Sequence, residues 1–186
     1  MGKPKITDKR WSIDLEKRIQ EEHYGETYNN RYSFNPESKK EIFVIDTPPP
    51  YPSGTWHIGA VAQYSMIDVI ARSQRLLGKE VYFPWGVDRN GINIEFTVEK
   101  KTGKKMRTFN RGDFIDICRD TIEEYTQAMR ETACRVGLSC SFENEYLTDS
   151  PEYRSVSQSI FVDLFKQGNI VEDLRPNIYD PVEGTT

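Results

Sequence analysis

The sequence has few of the residues that build disulfide frameworks, zinc sites and histidine-based catalytic centres. Its 186 residues include three cysteines and two histidines. The cysteines, Cys118, Cys134 and Cys140, are odd in number and form no C-x-x-C pair, which argues against a disulfide framework and against a zinc knuckle. We therefore expect reduced thiols, as is usual in the cytosol. Any histidine chemistry must use His23 or His57.

Long apolar runs and an excess of basic residues are also missing. No run approaches the roughly 18 apolar residues that a membrane-spanning helix needs, and no apolar stretch follows the N-terminal lysines as in a signal peptide. The formal net charge of −4 argues against a basic domain whose main task is to coat nucleic acid. A composition of 37% hydrophobic and 29% charged residues favours a folded chain. We expect a cytoplasmic protein of one domain or slightly more.

One β–α–β unit is predicted in the first half of the chain. It begins with the apolar run Ile42–Ile45, which is typical of a strand covered on both faces. Four prolines between positions 46 and 54 forbid a helix and a strand ladder, so this segment is predicted to be a stiff loop. A helical pattern then runs from about Trp56 to Leu77, and a second strand over Val81–Phe83 ends at Pro84. The two strands are expected to be parallel.

Two more helices are predicted in the second half. Apolar residues at steps of three and four indicate a long helix over 114–136. A further helix begins at Ser150-Pro151, and its predicted buried stripe consists of Tyr153, Val156, Ile160 and Leu164. Short strands are expected at 170–171 and 177–179, and 99–107 is interpreted as a solvated charged segment. The fold class is α/β, with residues 1–40 as a polar arm and 41–186 as the folded domain.

The first candidate site is the segment Pro48–Ala60, which follows a strand and opens a helix. Open α/β sheets bind nucleotides at this position, where a helix N-terminus favours an anion. Gly54 lets the loop turn close to a phosphate, His57 offers a donor in the first turn, and Gly59 keeps that turn open. The alternative is a purely structural loop with a capping histidine.

The second candidate site is the loop Gly86–Gly91, just after the second predicted strand. Asp88 stands between its glycines, and a carboxylate there suits a ligand amino group or a ribose hydroxyl. The alternative is a turn aspartate that binds its own backbone. Because parallel neighbouring strands end at the same edge of a sheet, the two loops are expected to converge on one crevice.

Together, these segments resemble a known family. The string F-V-I-D-T-P-P-P-Y-P-S-G-T-W-H-I-G-A, followed by R-L-L-G-K-E-V-Y-F-P-W-G-V-D-R-N-G-I-N-I-E, is similar to the catalytic domain of class I aminoacyl-tRNA synthetases. Within that class the likeness is greatest to the valyl enzymes of archaeal type, and the isoleucyl and leucyl enzymes are close. It covers about residues 41–186, including S-P-E-Y and R-P-N-I-Y-D-P. The implied fold is the first half of a Rossmann-like nucleotide-binding domain, with parallel strands and flanking helices.

The resemblance implies roles for individual residues. The segment Pro50–Ala60 stands at the family's H-I-G-H signature, where Ala60 replaces the second histidine. The implied ATP-binding residues are Ser53, Gly54, His57 and Gly59, with His57 also the implied catalytic residue that contacts the phosphates. Pro48 and Pro49 match the wall of the amino-acid pocket, and Asp88 matches the aspartate that binds the α-ammonium group.

The resemblance also implies a reaction and its partners. Valine and ATP, the latter with Mg²⁺ as a substrate, would give valyl-adenylate, and the acyl group would pass to the 3′ end of tRNA(Val). No protein metal ligands, no zinc and no membrane partner are expected. The family's K-M-S-K-S signature is missing, since Lys104–Arg107 lacks its serines. We therefore expect an N-terminal portion of a longer enzyme, cut at the start of the editing insertion and inactive without the remainder of the polypeptide.

Three alternatives remain open from the sequence. The chain could come from an isoleucyl- or leucyl-tRNA synthetase, since pocket residues outside it also shape amino-acid choice. It could be a free-standing, non-catalytic nucleotide-binding module, which the Ala60 replacement favours. A different nucleotidyltransferase is the third alternative, and the pairing of D-T-P-P-P with G-V-D-R-N-G argues against it.

Overall fold

The computed structural model describes residues 11–23, 31–54 and 56–182. Its helices are α1 (Ile13–His23), α2 (Ile58–Leu76), α3 (Asn93–Thr102), α4 (Arg111–Val136) and α5 (Pro151–Lys166). Its strands are β1 (Ile42–Val44), β2 (Glu80–Tyr82), β3 (Pro84–Val87) and β4 (Ser141–Leu147). Within the described ranges, no helix combines the length and the apolar character needed to cross a membrane. Much of the predicted arm (1–10 and 24–30), the His23 side chain and Thr55 lie outside the described residues.

The predicted β–α–β unit is confirmed. β1 and β2 pair in parallel, with Phe43 opposite Val81, and α2 is the helix that connects them. The Ile45 N–H donates to the Tyr82 carbonyl at 2.9 Å, so the ladder continues one residue past β1. The proline-containing loop therefore begins at the carboxyl end of β1.

The second strand of this unit is longer than predicted. Tyr82 accepts from β1, whereas the carbonyl of the next residue, Phe83, accepts the Ser141 N–H of β4 at 2.7 Å. Successive carbonyls of a strand point to opposite edges, so β2 and β3 form one middle strand between β1 and β4. The prediction that Pro84 ends the strand is wrong. A backbone N–H at this position would face β1, and the hydrogen bonds to β1 have already ended there. Proline therefore costs the strand no hydrogen bond.

A third parallel strand was not indicated by the sequence pattern. β4 pairs with β3, and Gly86 lies opposite Tyr146. Polar residues at 143–145 interrupt its apolar pattern, which hid the strand. The strands predicted at 170–171 and 177–179 are wrong. Those segments are almost wholly exposed, so they have no sheet on which to pack.

The charged segment after the second loop is partly helical. α3 extends to Thr102 and ends at Gly103, and Val98 within it is fully buried. Lys100 and Lys101 are exposed. The prediction of a solvated charged segment over 99–107 is confirmed for these lysines. α3 packs against α4 and so supports the loop that precedes it.

The long helix over 114–136 is confirmed as α4. Asn110 caps its start by accepting the Gly112 N–H at 2.8 Å, and Gly137 ends it in the left-handed conformation. Phe114, Ile122 and Met129 of the predicted stripe are buried. This helix covers one side of the core.

α2 buries a face that its apolar pattern does not indicate. The apolar residues that recur along one side of this helix include Ile58, Met66 and Leu76, and these three are exposed. Tyr64 and Asp68 are buried instead. Both buried polar groups make hydrogen bonds, which offsets the cost of removing them from water. The buried face of α2 is therefore partly polar.

An aromatic cluster lies beneath the loops. Trp56 stacks on Tyr64 with ring centroids 4.9 Å apart, and Trp85 of β3 contacts Phe142 of β4 at 5.5 Å. Trp85 is only 2% exposed. The cluster joins the start of α2 to the two strands and so fixes the height of the first loop above the sheet.

The chain forms two compact units, Met1–Asp149 and Ser150–Thr186. The second unit begins with α5, where Ser150 accepts the Tyr153 N–H at 3.2 Å as predicted for a cap. The predicted buried stripe of this helix is wrong, because its four side chains are 36–60% exposed. Over residues 150–182, which the structure describes, this unit has no second helix or strand to cover them.

Candidate functional site

The loop after β1 is held by two of its own backbone carbonyl groups. Pro48 accepts a hydrogen bond from the Tyr64 hydroxyl of α2 at 2.9 Å. Pro50 accepts one from the Asp88 N–H, also at 2.9 Å. The first bond ties the loop to the helix, and the second ties it to the loop after β3. The predicted convergence of the two loops is therefore observed.

The buried hydroxyl of Tyr64, which holds the Pro48 carbonyl, makes the free energy of unfolding depend on pH in alkaline solution. Burial raises the pKa of its hydroxyl from 10.0 to about 12. The folded state therefore keeps a proton that the unfolded state loses, so this part of the stability is present below pH 10 and is lost between about pH 10 and about pH 12. We expect the free energy of unfolding in urea to fall by about 1 kcal/mol more in the wild type than in Tyr64→Phe between about pH 9 and about pH 11.

The matched control for this prediction is Tyr179→Phe, since Tyr179 is 59% exposed. This variant should keep the wild-type pH dependence. Tyr64→Phe should also lose about 1 kcal/mol at neutral pH, because the Pro48 carbonyl loses its donor. Parallel pH profiles for the wild type and Tyr64→Phe would contradict the prediction.

The two loops border a narrow open cleft with a cavity volume of about 10 Å³. Its walls come from the first loop, from the second loop and its following helix, and from one residue of α4: Tyr51, Pro52, Ser53, Asp88, Arg89, Gly91, Asn93, Ile94 and Ile122. This volume is about enough for one water molecule and far below the 300–1,000 Å³ or so that is usual for drug-sized ligands. The cleft as it stands therefore admits only one small group, such as the charged end of a larger ligand that extends into solvent.

Asp88 is held in place on one side of its carboxylate. Its Oδ1 accepts the Thr148 hydroxyl at 3.1 Å and the Asn90 N–H at 3.1 Å. Among the residues that the structure describes, no protein donor is found for Oδ2. The local turn bond to Asn90 fits the structural alternative, but the bond to Thr148 comes from another strand. One carboxylate oxygen is therefore left for a ligand.

The charges around the cleft sum to a negative value. Arg89 is largely buried and lies 3.0 Å from a Glu123 oxygen and 3.1 Å from an Asp149 oxygen. Two carboxylates thus lie against the single positive charge of Arg89, and the negative charge of Asp88 adds to theirs. A negative cleft attracts a cationic group such as an ammonium ion.

His57 caps the start of α2. Its Nδ1 accepts the Gly59 N–H at 3.1 Å, so in the neutral ring the proton is on Nε2. A Cβ on residue 59 would lie 2.9 Å from His57 Cε1, so the H-x-G spacing serves the cap. The exposed imidazole presents an Nε2–H donor to solvent.

The helix start offers fewer free donors than the sequence predicted. The Gly59 N–H is used by the imidazole, and the N–H groups of Ala60 and Val61 both point to the His57 carbonyl at 3.0 and 3.3 Å. What remains for an anion is the positive end of the helix dipole together with the His57 Nε2–H. These two features can stabilise a phosphate.

The other predicted residues lie at different distances from the cleft. Ser53 lines it with Asp88, whereas Pro48, Pro49, Gly54, His57 and Gly59 are not part of its described lining. Gly54 has a φ of +156°, which L side chains rarely adopt. Pro48 and Pro49 are exposed and half-buried, respectively. The site thus has two parts, the acidic cleft and the start of α2.

Sequence reasoning missed three residues of this region: Thr148, Arg89 as an ion-pair centre, and Tyr64. Thr148 stands in T-D-S-P, which is typical of a loop before a helix. One signal could have located it: if a strand preceded Thr148 and paired with β3, Thr148 would lie beside the loop that follows β3. In the described ranges, no group of three or more His, Cys, Asp or Glu side chains is arranged to hold a metal ion.

Comparison with known proteins gives a consistent result. Residues 20–186 match the family model described as tRNA synthetases class I (I, L, M and V). The valine–tRNA ligase of Thermoplasma volcanium is 44% identical over 82% of this chain and 19% of its own length. That of Thermoplasma acidophilum is 40% identical over 91% and 22%, and that of Aeropyrum pernix is 39% identical over 99% and 23%.

A solved structure is also similar. It is the ternary complex of Agrobacterium radiobacter K84 agnB2 LeuRS with tRNA and LeuAMS, with a TM-score of 0.65 and 29% identity. The match covers 92% of this chain and 20% of that chain. The chain therefore spans about a fifth of the length of the relatives that it matches.

Proposed function

From the premise that the chain belongs to the class I tRNA synthetases (I, L, M and V), we propose that the protein containing it is a valine–tRNA ligase. The observation that carries the proposal is the acidic cleft between the two loops, in a chain 39–44% identical to valine–tRNA ligases. Residues 41–186 would form the first half of the catalytic domain. A cytoplasmic location belongs to the same proposal.

The proposed reaction needs no nucleophile from the protein. A carboxylate oxygen of valine attacks the α-phosphorus of ATP, the bond from that phosphorus to the bridging oxygen breaks, and pyrophosphate leaves with Mg²⁺. A ribose hydroxyl of the tRNA 3′ end then takes the valyl group, and AMP leaves. Catalysis of this kind consists of positioning and of charge stabilisation in the transition state.

The site residues divide these tasks. Asp88 Oδ2 would accept a hydrogen bond from the α-ammonium group of valine, because the cleft is negative and this oxygen has no donor in the described part of the chain. Pro48 and Pro49 would wall the amino acid. The His57 Nε2–H and the start of α2 would face the phosphates, with Ser53, Gly54 and Gly59 shaping the loop. The chemistry that ATP supplies is an activated phosphorus with a good leaving group.

A second candidate is activation of leucine or isoleucine. The structural likeness to LeuRS favours this alternative, whereas the named relatives favour valine. A single methylene changes selection by only about 1–3 kcal/mol, so the cleft alone does not separate the three amino acids. A non-catalytic nucleotide-binding module remains as a third outcome.

The test is amino-acid-dependent ATP–pyrophosphate exchange by the full-length product of the gene. We expect valine to drive exchange most efficiently by kcat/KM, with isoleucine and leucine far weaker. The 186-residue chain assayed alone is expected to give no exchange. Exchange driven only by leucine or isoleucine would overturn the choice of valine, and no exchange with any amino acid would favour the module.

A further inference from the structure

A buried hydroxyl contacts the acidic cleft from outside both predicted loops. Thr148 directly follows β4 and is 5% exposed. Its Oγ1 lies 3.1 Å from Asp88 Oδ1. Parallel pairing of β4 with β3 places it there, since the Thr148 N–H donates to the Val87 carbonyl at 3.2 Å. The contact is therefore fixed by the sheet.

The direction of the Thr148 proton follows from its other partners. The Arg89 N–H donates to Oγ1 at 2.8 Å, and Asn90 Nδ2 donates to it at 3.2 Å. Asn90 Nδ2 also donates to the Thr148 carbonyl at 2.8 Å, which holds the amide in this orientation. A hydroxyl has two lone pairs and one proton. With both lone pairs occupied, the proton points to Asp88.

We propose that Thr148 is a positioning residue for amino-acid binding, which turns the Asp88 carboxylate so that Oδ2 faces the ammonium group of the substrate. The proposal rests on the proposed function, since it assigns the ligand of Asp88. Thr148 Oγ1 touches Asp88 and two donors of the second loop, so it acts through Asp88. Its loss should weaken amino-acid binding and leave ATP binding unchanged.

The test compares two variants in the full-length product of the gene. Thr148→Val keeps the shape and removes the hydroxyl, so the Arg89 N–H loses this acceptor, while Asn90 Nδ2 keeps its bond to the carbonyl of residue 148. We expect the KM for valine in ATP–pyrophosphate exchange to rise about tenfold, the scale of one hydrogen bond to a charged group. The KM for ATP should stay within about twofold. Thr148→Ser retains the hydroxyl and should restore most of the valine KM.

The matched control is Thr126→Val in α4. Thr126 is also buried, and its hydroxyl has no hydrogen-bond partner among the described residues, so both KM values should remain at wild-type levels. An unchanged valine KM in Thr148→Val would overturn the proposal. So would an equal rise in both KM values, or a Thr148→Ser variant as impaired as Thr148→Val.

These outcomes are separate from failure of the proposed function. If the wild type activates isoleucine or leucine in place of valine, the choice of amino acid fails, and the same variants are measured with the amino acid that is used. A KM rise confined to that amino acid would still support Thr148 as the positioning residue. If no amino acid drives exchange in the wild type, both proposals are overturned.

Discussion

Under the proposed function, Asp88→Asn is expected to raise the KM for valine of the full-length product of the gene by about a hundredfold or more. Asparagine keeps the shape and an Oδ1 acceptor for Thr148 and the Asn90 N–H. It replaces the free carboxylate oxygen by an amide that donates, as the ammonium group does. Truncating one partner of a buried charge pair costs about 2–5 kcal/mol, and each 1.4 kcal/mol or so is tenfold.

The measurement is ATP–pyrophosphate exchange with valine and ATP varied in turn. The KM for ATP should change little, because the groups that we propose to face the phosphates lie at the start of α2. Asp116→Asn is the matched control, since Asp116 is exposed on α4 and pairs only with Arg119 among its described partners. A variant at position 88 with the wild-type valine KM would remove the role assigned to Asp88.

Asp68→Ala is expected to destabilise the chain by about 2–3 kcal/mol, the scale of buried donors left without an acceptor. Asp68 is 7% exposed. Its Oδ1 accepts the N–H and the hydroxyl of Ser139 at 2.7 and 2.5 Å, and its Oδ2 lies 2.6 Å from Arg72 Nε. Removing this carboxylate leaves the two Ser139 donors without their acceptor, while the Arg72 guanidinium keeps the Gly137 carbonyl. The connection from α2 to the segment before β4 would then rest on the bonds of Arg72 to Gly137 and of Arg75 to Ser139.

Urea denaturation of the 186-residue chain at neutral pH measures this effect. Glu41→Ala is the control, because Glu41 is also one half of an ion pair, with Lys79 at 2.7 Å, but its side chain is 73% exposed. Exposed pairs contribute about 0–1 kcal/mol, so this variant should unfold near the wild-type midpoint. Equal midpoints for Asp68→Ala and the wild type would show that the buried network contributes nothing.

The elements predicted correctly have signals that are local in sequence. β1 is an uninterrupted apolar run, α4 has a long three-and-four repeat, and the prolines after β1 exclude regular structure. β4 has no such signal, since Glu143 and Asn144 are exposed within it. Its strand conformation depends on pairing with β3, and the residues next to β4 in the sequence do not determine that pairing. The buried face of α2 depends likewise on distant partners of Asp68.

The site shows the same division. Asp88 and the proline loop were found because both follow strands, and parallel strands end at one edge. Thr148 was missed, since its position beside Asp88 requires the register of an unpredicted strand. The capping of α2 by His57 was one of the two interpretations that the sequence left open, and the structure shows that bond. The contact of His57 with phosphate remains a prediction.

The cap at the start of α2 determines which nitrogen of the imidazole can meet a ligand. Nδ1 holds the Gly59 N–H only while it carries no proton. The ring is therefore held in one orientation at the helix end. His57 is thus suited to a fixed donor role through Nε2, with the ring plane set by the backbone of the turn that it caps.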